Sequence, residues 1–274
     1  MGSYPLLDRW KEYHMPKRLI YQVCLGEQAN SKLYKFCIES VKDYCQVNGI
    51  DHFLQDYPLL RIAPDPFMSN RSKEATAKHG GFLPIYEKEN AFNYLNEYDE
   101  IAVIDADVYI RQGAANIFES MGDGAFGAVV EREMPLTQEY LEKIVNYSRM
   151  QFTPLQDVDW KWQRTGAHFA NMGVMVFNKK LEPYLMGQDA KAFLNRYEFK
   201  RFVDGIGAWK WSTDQVLLNY WIKKNKIPFT SLPWKFNGLF TANRDINACD
   251  FVHFFLKDKL PHKGEDVAGL LQMI

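Results

Sequence analysis

The run IAVIDADVYI (101–110) constrains the fold more than any other segment. Its first half is short, apolar and rich in β-branched residues, the mark of a strand buried on both faces. Its middle, Asp105-Ala106-Asp107, carries two carboxylates that are costly to bury without a counter-charge. A strand that is apolar along its length and acidic at its end belongs in a covered sheet, with the charged end at the rim where sites gather. A divalent cation supplies the missing charge, and hard oxygen ligands suit Mg²⁺ or Mn²⁺. Such an ion is what a diphosphate leaving group needs. A bare Asp-x-Asp is common; the apolar strand before it gives the pair its weight.

The rest of the chain alternates in the same sense. RLIYQVCL (18–25) reads as the first buried strand, and Ser31 can cap the helix that follows. On that helix Leu33, Phe36, Cys37, Ser40, Val41, Tyr44 and Cys45 fall on one stripe. His52 to Leu54 suggest a second strand, and residues 64–81 read as a polar surface loop. Pro84 fits the first turn of a helix running to about Asn96. GAFGAVVE (124–131) and NMGVMVFN (171–178) are further strands, with a helix over 135–152 and an irregular stretch over 153–168 between them. Helices are expected near 188–198 and 213–224, and FVHFF (251–255) is the last strand. This alternation predicts an α/β fold with a mostly parallel central sheet flanked by helices. The 274 residues suit a single domain over 15–274, with residues 1–14 as an N-terminal extension ahead of a second plausible start at Met15.

Composition narrows the partners. Lys plus Arg is 33 against 34 for Asp plus Glu, a net charge of -1 that argues against a dominant nucleic-acid surface. No apolar run reaches the length of a membrane span, and the start lacks the apolar core of a signal peptide. Cys24, Cys37, Cys45 and Cys249 lack zinc-type spacing. Together these features predict a cytoplasmic protein without a disulfide framework.

Three further positions carry candidate chemistry. His253 lies in the last strand, followed at once by Lys257, Lys259, His262 and Lys263. It is either a core histidine or a metal ligand beside phosphate-pairing lysines. Lys88 shares a helical stripe with Ile85, Phe92 and Leu95, so it either snorkels to solvent or faces an anion. Ser212-Thr213-Asp214-Gln215 opens a helix in a capping-box pattern, and Asp214 serves the helix dipole or the site.

These pieces occur in a recognisable order. IAVIDADVYI resembles the strand and DxD motif of retaining GT-A glycosyltransferases, especially family 8, which includes glycogenin and galactinol synthase. FANMGVMVFN resembles that family's Asn-Ser-Gly-Val strand, STDQVLLNYW its Asp-Gln helix start, LPWKFNG its Leu-Pro-x-x-Tyr-Asn segment, and DFVHFFLKDKLP its closing His-x-x-Gly-x-x-Lys-Pro motif. The resemblance covers roughly residues 82–261. It implies that Asp105, Asp107 and His253 ligate Mn²⁺ (or Mg²⁺), and that Lys88, Lys259 and Asn237 belong to the donor site together with Asp105. It also implies that Asn171, Asp214 and Gln215 contact the donor sugar or stabilise the transition state. Two departures stand out: Leu256 replaces the Gly of the closing motif, and CLGEQAN follows the first strand instead of the family's Asp and Tyr. SKLYKFCIESVKDYCQVNGID also resembles the start of the family 34 xylosyl- and galactosyltransferases.

The expectation is therefore a GT-A glycosyltransferase that moves a sugar from a nucleotide-sugar donor, UDP-linked, with retention of configuration. The acceptor, whether glycan, protein, lipid or modified nucleobase, is expected beside residues 153–168, where Trp160 and Trp162 offer stacking surfaces. The alternatives are a sugar nucleotidyltransferase, for which Leu25-Gly26-Glu27 is a poor phosphate loop, and a non-catalytic sugar-binding module.

Overall fold

The computed structural model describes residues 15–65, 70–158 and 169–274. Trp160, Trp162 and residues 1–14 lie outside that set. Nine strands are described: β1 Arg18–Val23, β2 Asp51–Gln55, β3 Glu100–Ile104, β4 Val108–Ile110, β5 Phe126–Val130, β6 Ala170–Asn178, β7 Phe229–Ser231, β8 Gly238–Leu239 and β9 Phe251–His253. The described helices are α1 Lys32–Asn48, α2 Asn70–His79, α3 Gln138–Phe152, the short α4 Glu182–Leu185, α5 Ala190–Leu194 and α6 Lys200–Asp204, then α7 Asp214–Lys224 and α8 Val267–Leu271.

Six strands form the central sheet in the order β2-β1-β3-β6-β5-β7. All run in one direction except β6, which is antiparallel to both β3 and β5. Side chains alternate across this sheet, as the two-residue period of a strand requires. Leu19, Tyr21, Ile101, Val103 and Phe177 enter one core, with Phe92 and the buried face of α7. Ile20, Ala102, Ile104, Val174 and Val176 enter the other, against Val41 and Tyr44 of α1. The sheet is thus covered on both faces, which is why its strands read as apolar runs.

A second, three-stranded sheet in the order β4-β9-β8 lies past the end of β3. The chain leaves β3, turns through Asp105–Asp107 with Val108 N–H donating to the Asp105 carbonyl (3.0 Å), and enters β4. There Val108 pairs with His253 of β9, and Phe254 N–H donates to the Asp107 carbonyl (2.9 Å). This register sets the acidic turn directly against the histidine.

Local structure departs from the sequence reading in four places. Residues 64–81, expected as loop, contain α2, whose only buried residue among those described is Ala75. The segment after Pro84 is a 3-10 helix, Pro84–Tyr94. Its tighter turn leaves Ile85 exposed and buries Tyr86, Glu87, Glu89, Asn90, Ala91 and Phe92. Glu87 is buried productively: its carboxylate accepts backbone N–H bonds from Leu59, Leu60 and Arg61 at 2.7–2.9 Å. Neither expected serine cap forms. Ser31 Oγ donates instead to Glu265, and the residue preceding α7 is Thr213, which makes no side-chain cap.

The four cysteines are buried and unpaired. Among the described residues no helix is long and apolar enough to cross a membrane.

Candidate active site

At the rim of the sheet, one ligand atom from each of Asp105, Asp107 and His253 lies within 4.8 Å of the others. His253 Nε2 is 3.2 Å from Asp107 Oδ1 and 3.8 Å from Asp105 Oδ2. Two carboxylate oxygens and an imidazole nitrogen are a donor set suited to Mn²⁺ or Mg²⁺.

The orientation of His253 follows from a chain of hydrogen bonds that starts at a backbone donor. Gly173 N–H donates to Asn171 Oδ1 (2.9 Å), which fixes the sense of that amide. Asn237 Nδ2 donates to the same oxygen (2.8 Å), so Asn237 Oδ1 is the atom turned toward His253 Nδ1, at 3.0 Å. Nδ1 therefore carries a proton, and Nε2 faces the two aspartates, where a bound metal ion would take the place of its proton. Gly173 also clears space for the ring: a Cβ there would lie 2.3 Å from His253 Cε1 and 2.6 Å from Nδ1. Only a residue without a side chain lets the imidazole approach β6 this closely.

The chain continues inward. Asn171 Nδ2 and Gln215 Nε2 both donate to Glu131 Oε1, each at 2.9 Å. Glu131 is fully buried, and its Oε2 has no hydrogen-bond partner among the described residues. Burial pushes its carboxyl up to about 7, with the two amide bonds opposing that rise. Burial alone would lower His253, but Asp107 and Asp105 hold its proton more tightly than usual. Burial alone would raise Asp107, but the imidazole beside it keeps its carboxyl below the ordinary value. The geometry favours a positive charge between Nε2 and the carboxylates, whether a proton or a metal ion.

Lys88 links this cluster to α7. Its ammonium lies 2.9 Å from Asp105 Oδ1 and 2.9 Å from Asp214 Oδ2, and donates to the Met172 carbonyl at 2.8 Å. The Asp105 and Met172 contacts are hydrogen bonds; the Asp214 contact is an ion pair, and Asp214 Oδ2 makes no hydrogen bond among the described residues. Burial would lower the Lys88 pKa, but the two carboxylates raise it, so the side chain stays charged. Burial lifts Asp214, with Lys88 opposing. Lys88 does not snorkel: its side chain is only 11% exposed.

Asp105, Asp107, Lys88 and Asp214 line one cleft of about 670 Å³, together with Leu25 and Gln28 after β1 and Trp211 before α7. That volume suits a nucleotide-sized ligand. Asn171, Asn237, Gln215 and His253 join the same cluster through the bonds above. Lys259 is apart from them: it is exposed in the 3-10 turn Lys257–Lys259 and is not among the residues lining the cleft. Leu256, which stands where the resembled motif has Gly, adopts the left-handed conformation that glycine favours (φ 59°, ψ 59°). The sequence offers Glu131 only as a candidate base for an inverting reaction; its place in this network follows from its position after the fully buried β5.

The architecture, a mostly parallel sheet flanked by helices with an acidic turn at the end of β3, is the GT-A fold. Among solved structures, an active-site mutant of LgtC is similar, with a TM-score of 0.53 and 15% identity over 93% of this chain and 95% of that one. A glycosyltransferase involved in glycosylation of the major capsid of PBCV-1 is similar at a TM-score of 0.45 and 11% identity, over 94% and 100% of the two chains. Mouse xyloside xylosyltransferase 1 follows at 0.46 and 11%, over 89% and 100%. No protein-family model matches the sequence, and no curated protein matches it.

Proposed function

We propose that this chain is a metal-dependent glycosyltransferase that takes its sugar from a nucleotide-sugar donor, UDP-linked, and transfers it with retention of anomeric configuration. The observation that carries this reading is the convergence of Asp105, Asp107 and His253 beside the Lys88–Asp214 pair on the wall of one cleft. A sugar-binding module has no need of that arrangement, and a nucleotidyltransferase would want a glycine-rich phosphate loop after β1. There the chain forms a 3-10 turn, Gly26–Asn30, with a single glycine.

Asp105, Asp107 and His253 Nε2 would hold Mn²⁺ or Mg²⁺, which as a Lewis acid stabilises the charge developing on the departing diphosphate. Lys88 fixes Asp105 for that task and ties it to Asp214 at the donor-sugar end. Lys259 would approach the diphosphate from its exposed turn. Asp214 and Gln215 would face the charge that develops on the sugar. Asn171 and Asn237 act behind them, holding the metal histidine in its ligating tautomer.

Retention rests on the motif order and on the two acids that an inverting reaction would call upon as base. Glu131 is sealed from solvent with Oε1 committed to two amides, and Asp214 is 4% exposed and paired with Lys88. Neither is presented to the cleft as a free base.

The test is turnover of a panel of UDP- and GDP-sugars with Mn²⁺, with Mg²⁺ and with EDTA, and NMR of the product's anomeric proton. The expected result is metal-dependent release of nucleoside diphosphate and, from an α-linked donor, an α-linked product. Release of pyrophosphate from a nucleoside triphosphate and a sugar 1-phosphate would support the nucleotidyltransferase instead. Saccharide binding without metal or nucleotide would support the binding module.

A further inference from the structure

Of the four described tryptophans, Trp209, Trp211, Trp221 and Trp234, only Trp211 is exposed, at 60% of its full surface. It lines the same cleft as Asp105 and Asp214, three residues before the start of α7. The main chain around it is clamped. Tyr147 OH donates to the Trp211 carbonyl (2.8 Å), Trp209 Nε1 donates to the Gln151 carbonyl (2.8 Å), and Ser212 Oγ bonds Gln151 Oε1 (2.6 Å). Helix α3 thus holds the segment on both sides of an indole that is itself left in water. A rigidly mounted surface binds at lower entropic cost than a mobile one.

The surroundings define what such a surface would take. Lys210 Nζ lies over one face of the Trp211 ring, 4.8 Å from its centroid, and α2 contributes Arg71, Glu74 and His79 to the same cleft. The ring face away from Lys210, with polar groups of both signs lining the cleft around it, matches a pyranose ring, whose C–H face is apolar and whose hydroxyls both donate and accept. A lipid chain would need an apolar groove unbroken by charge.

We infer that Trp211 is the stacking floor of an acceptor subsite for a neutral saccharide, beside the donor sugar. This rests on the glycosyltransferase reading and narrows its acceptor to a glycan.

The experiment titrates the full-length protein, with Mn²⁺ and whichever of UDP and GDP it binds, against maltotriose, cellotriose, xylotriose and N-acetyllactosamine. Saturation-transfer NMR and equilibrium titration read the binding. At least one saccharide binds, and Trp211→Ala weakens it by about tenfold or more, the scale of losing one stacked ring, while Trp211→Phe restores most of it. The Mn²⁺–nucleotide affinity of both variants stays within about twofold of wild type, because Trp211 is none of the residues assigned to the metal or the diphosphate. Equal saccharide affinity in wild type and Trp211→Ala overturns the inference, as does failure of the whole panel to bind. Loss of nucleotide affinity in Trp211→Ala also overturns it, by assigning the indole to the donor. Wild-type protein that binds no Mn²⁺–nucleotide would instead sink the underlying glycosyltransferase reading.

Discussion

Replacing Lys88 by Met isolates the charge at the centre of the site. Met keeps the unbranched aliphatic stem, so little cavity forms. What is lost is an ammonium held between Asp105 and Asp214 at 2.9 Å each, with a third bond to the Met172 carbonyl. The two carboxylates differ in what they can do next. Asp105 is 31% exposed and can recruit water; Asp214 is 5% exposed and cannot. Breaking a buried pair by removing one partner costs about 3–5 kcal/mol, because an uncompensated charge stays behind. Against a typical total of roughly 5–15 kcal/mol, Lys88→Met still folds but with a much lower urea midpoint. Without Lys88 the folded-state pKa of Asp214, already raised by burial, rises further. A group with a raised folded pKa loses stability as pH climbs through that pKa, so the deficit is smaller at pH 5 than at pH 8. Adding Asp214→Asn removes the stranded charge and recovers part of the loss. Urea denaturation of wild type, the single variants and the double variant at both pH values measures all of this. Equal stability of Lys88→Met and wild type at pH 8, within about 0.5 kcal/mol, would refute the reasoning and return Lys88 to solvent.

Three other substitutions test separate parts of the account. Glu131→Gln should stabilise the protein at pH 8 relative to pH 5, by up to roughly 3 kcal/mol for a carboxyl raised from 4.5 to about 7. Wild type loses that stability as pH rises from about the unfolded value through about 7, so parallel pH–stability curves for the two proteins would contradict the assignment. Asn237→Leu takes the acceptor from His253 Nδ1 and should lower Mn²⁺ affinity by about 10–100-fold, read by calorimetry; unchanged affinity would remove the orienting role. Leu256→Gly should raise the melting temperature through a gain of about 0.5–1 kcal/mol, since a left-handed Leu is strained and this one is half in water; a lower melting temperature would contradict that.

The parts of this site that were legible in the sequence share one physical cause. A carboxylate closing an apolar strand is expensive wherever it is placed, so Asp105 and Asp107 announced a counter-charge before any fold was known. Lys88 stood out for the same reason, although the helix that carries it is 3-10 and its stripe is not the expected one. The reversal of β6 was invisible because a strand buried on both faces reads as an apolar run in either direction. Helix α2 was read as loop because its sequence, NRSKEATAKH, offers no apolar stripe; among its described residues it buries only Ala75, and Arg71 Nη1 ties it to the Phe202 carbonyl at 2.8 Å. The hydrogen bonds that turn His253 run through Asn171 and Asn237, residues 66 apart in the chain. The motif resemblance marked both, but only their spatial contact assigns them an orienting task.

The central claim is that Asp105, Asp107 and His253 form one metal centre at which a nucleoside diphosphate is held. The most direct measurement is a crystal of the protein soaked with MnCl₂ and UDP, with anomalous scattering recorded at the manganese edge. The account predicts one strong peak within coordinating distance of both carboxylates and His253 Nε2, with diphosphate oxygens completing the shell, and no such peak in Asp107→Ala. Manganese bound elsewhere, or UDP seated in the cleft without an ion between its phosphates and Asp105, would contradict it.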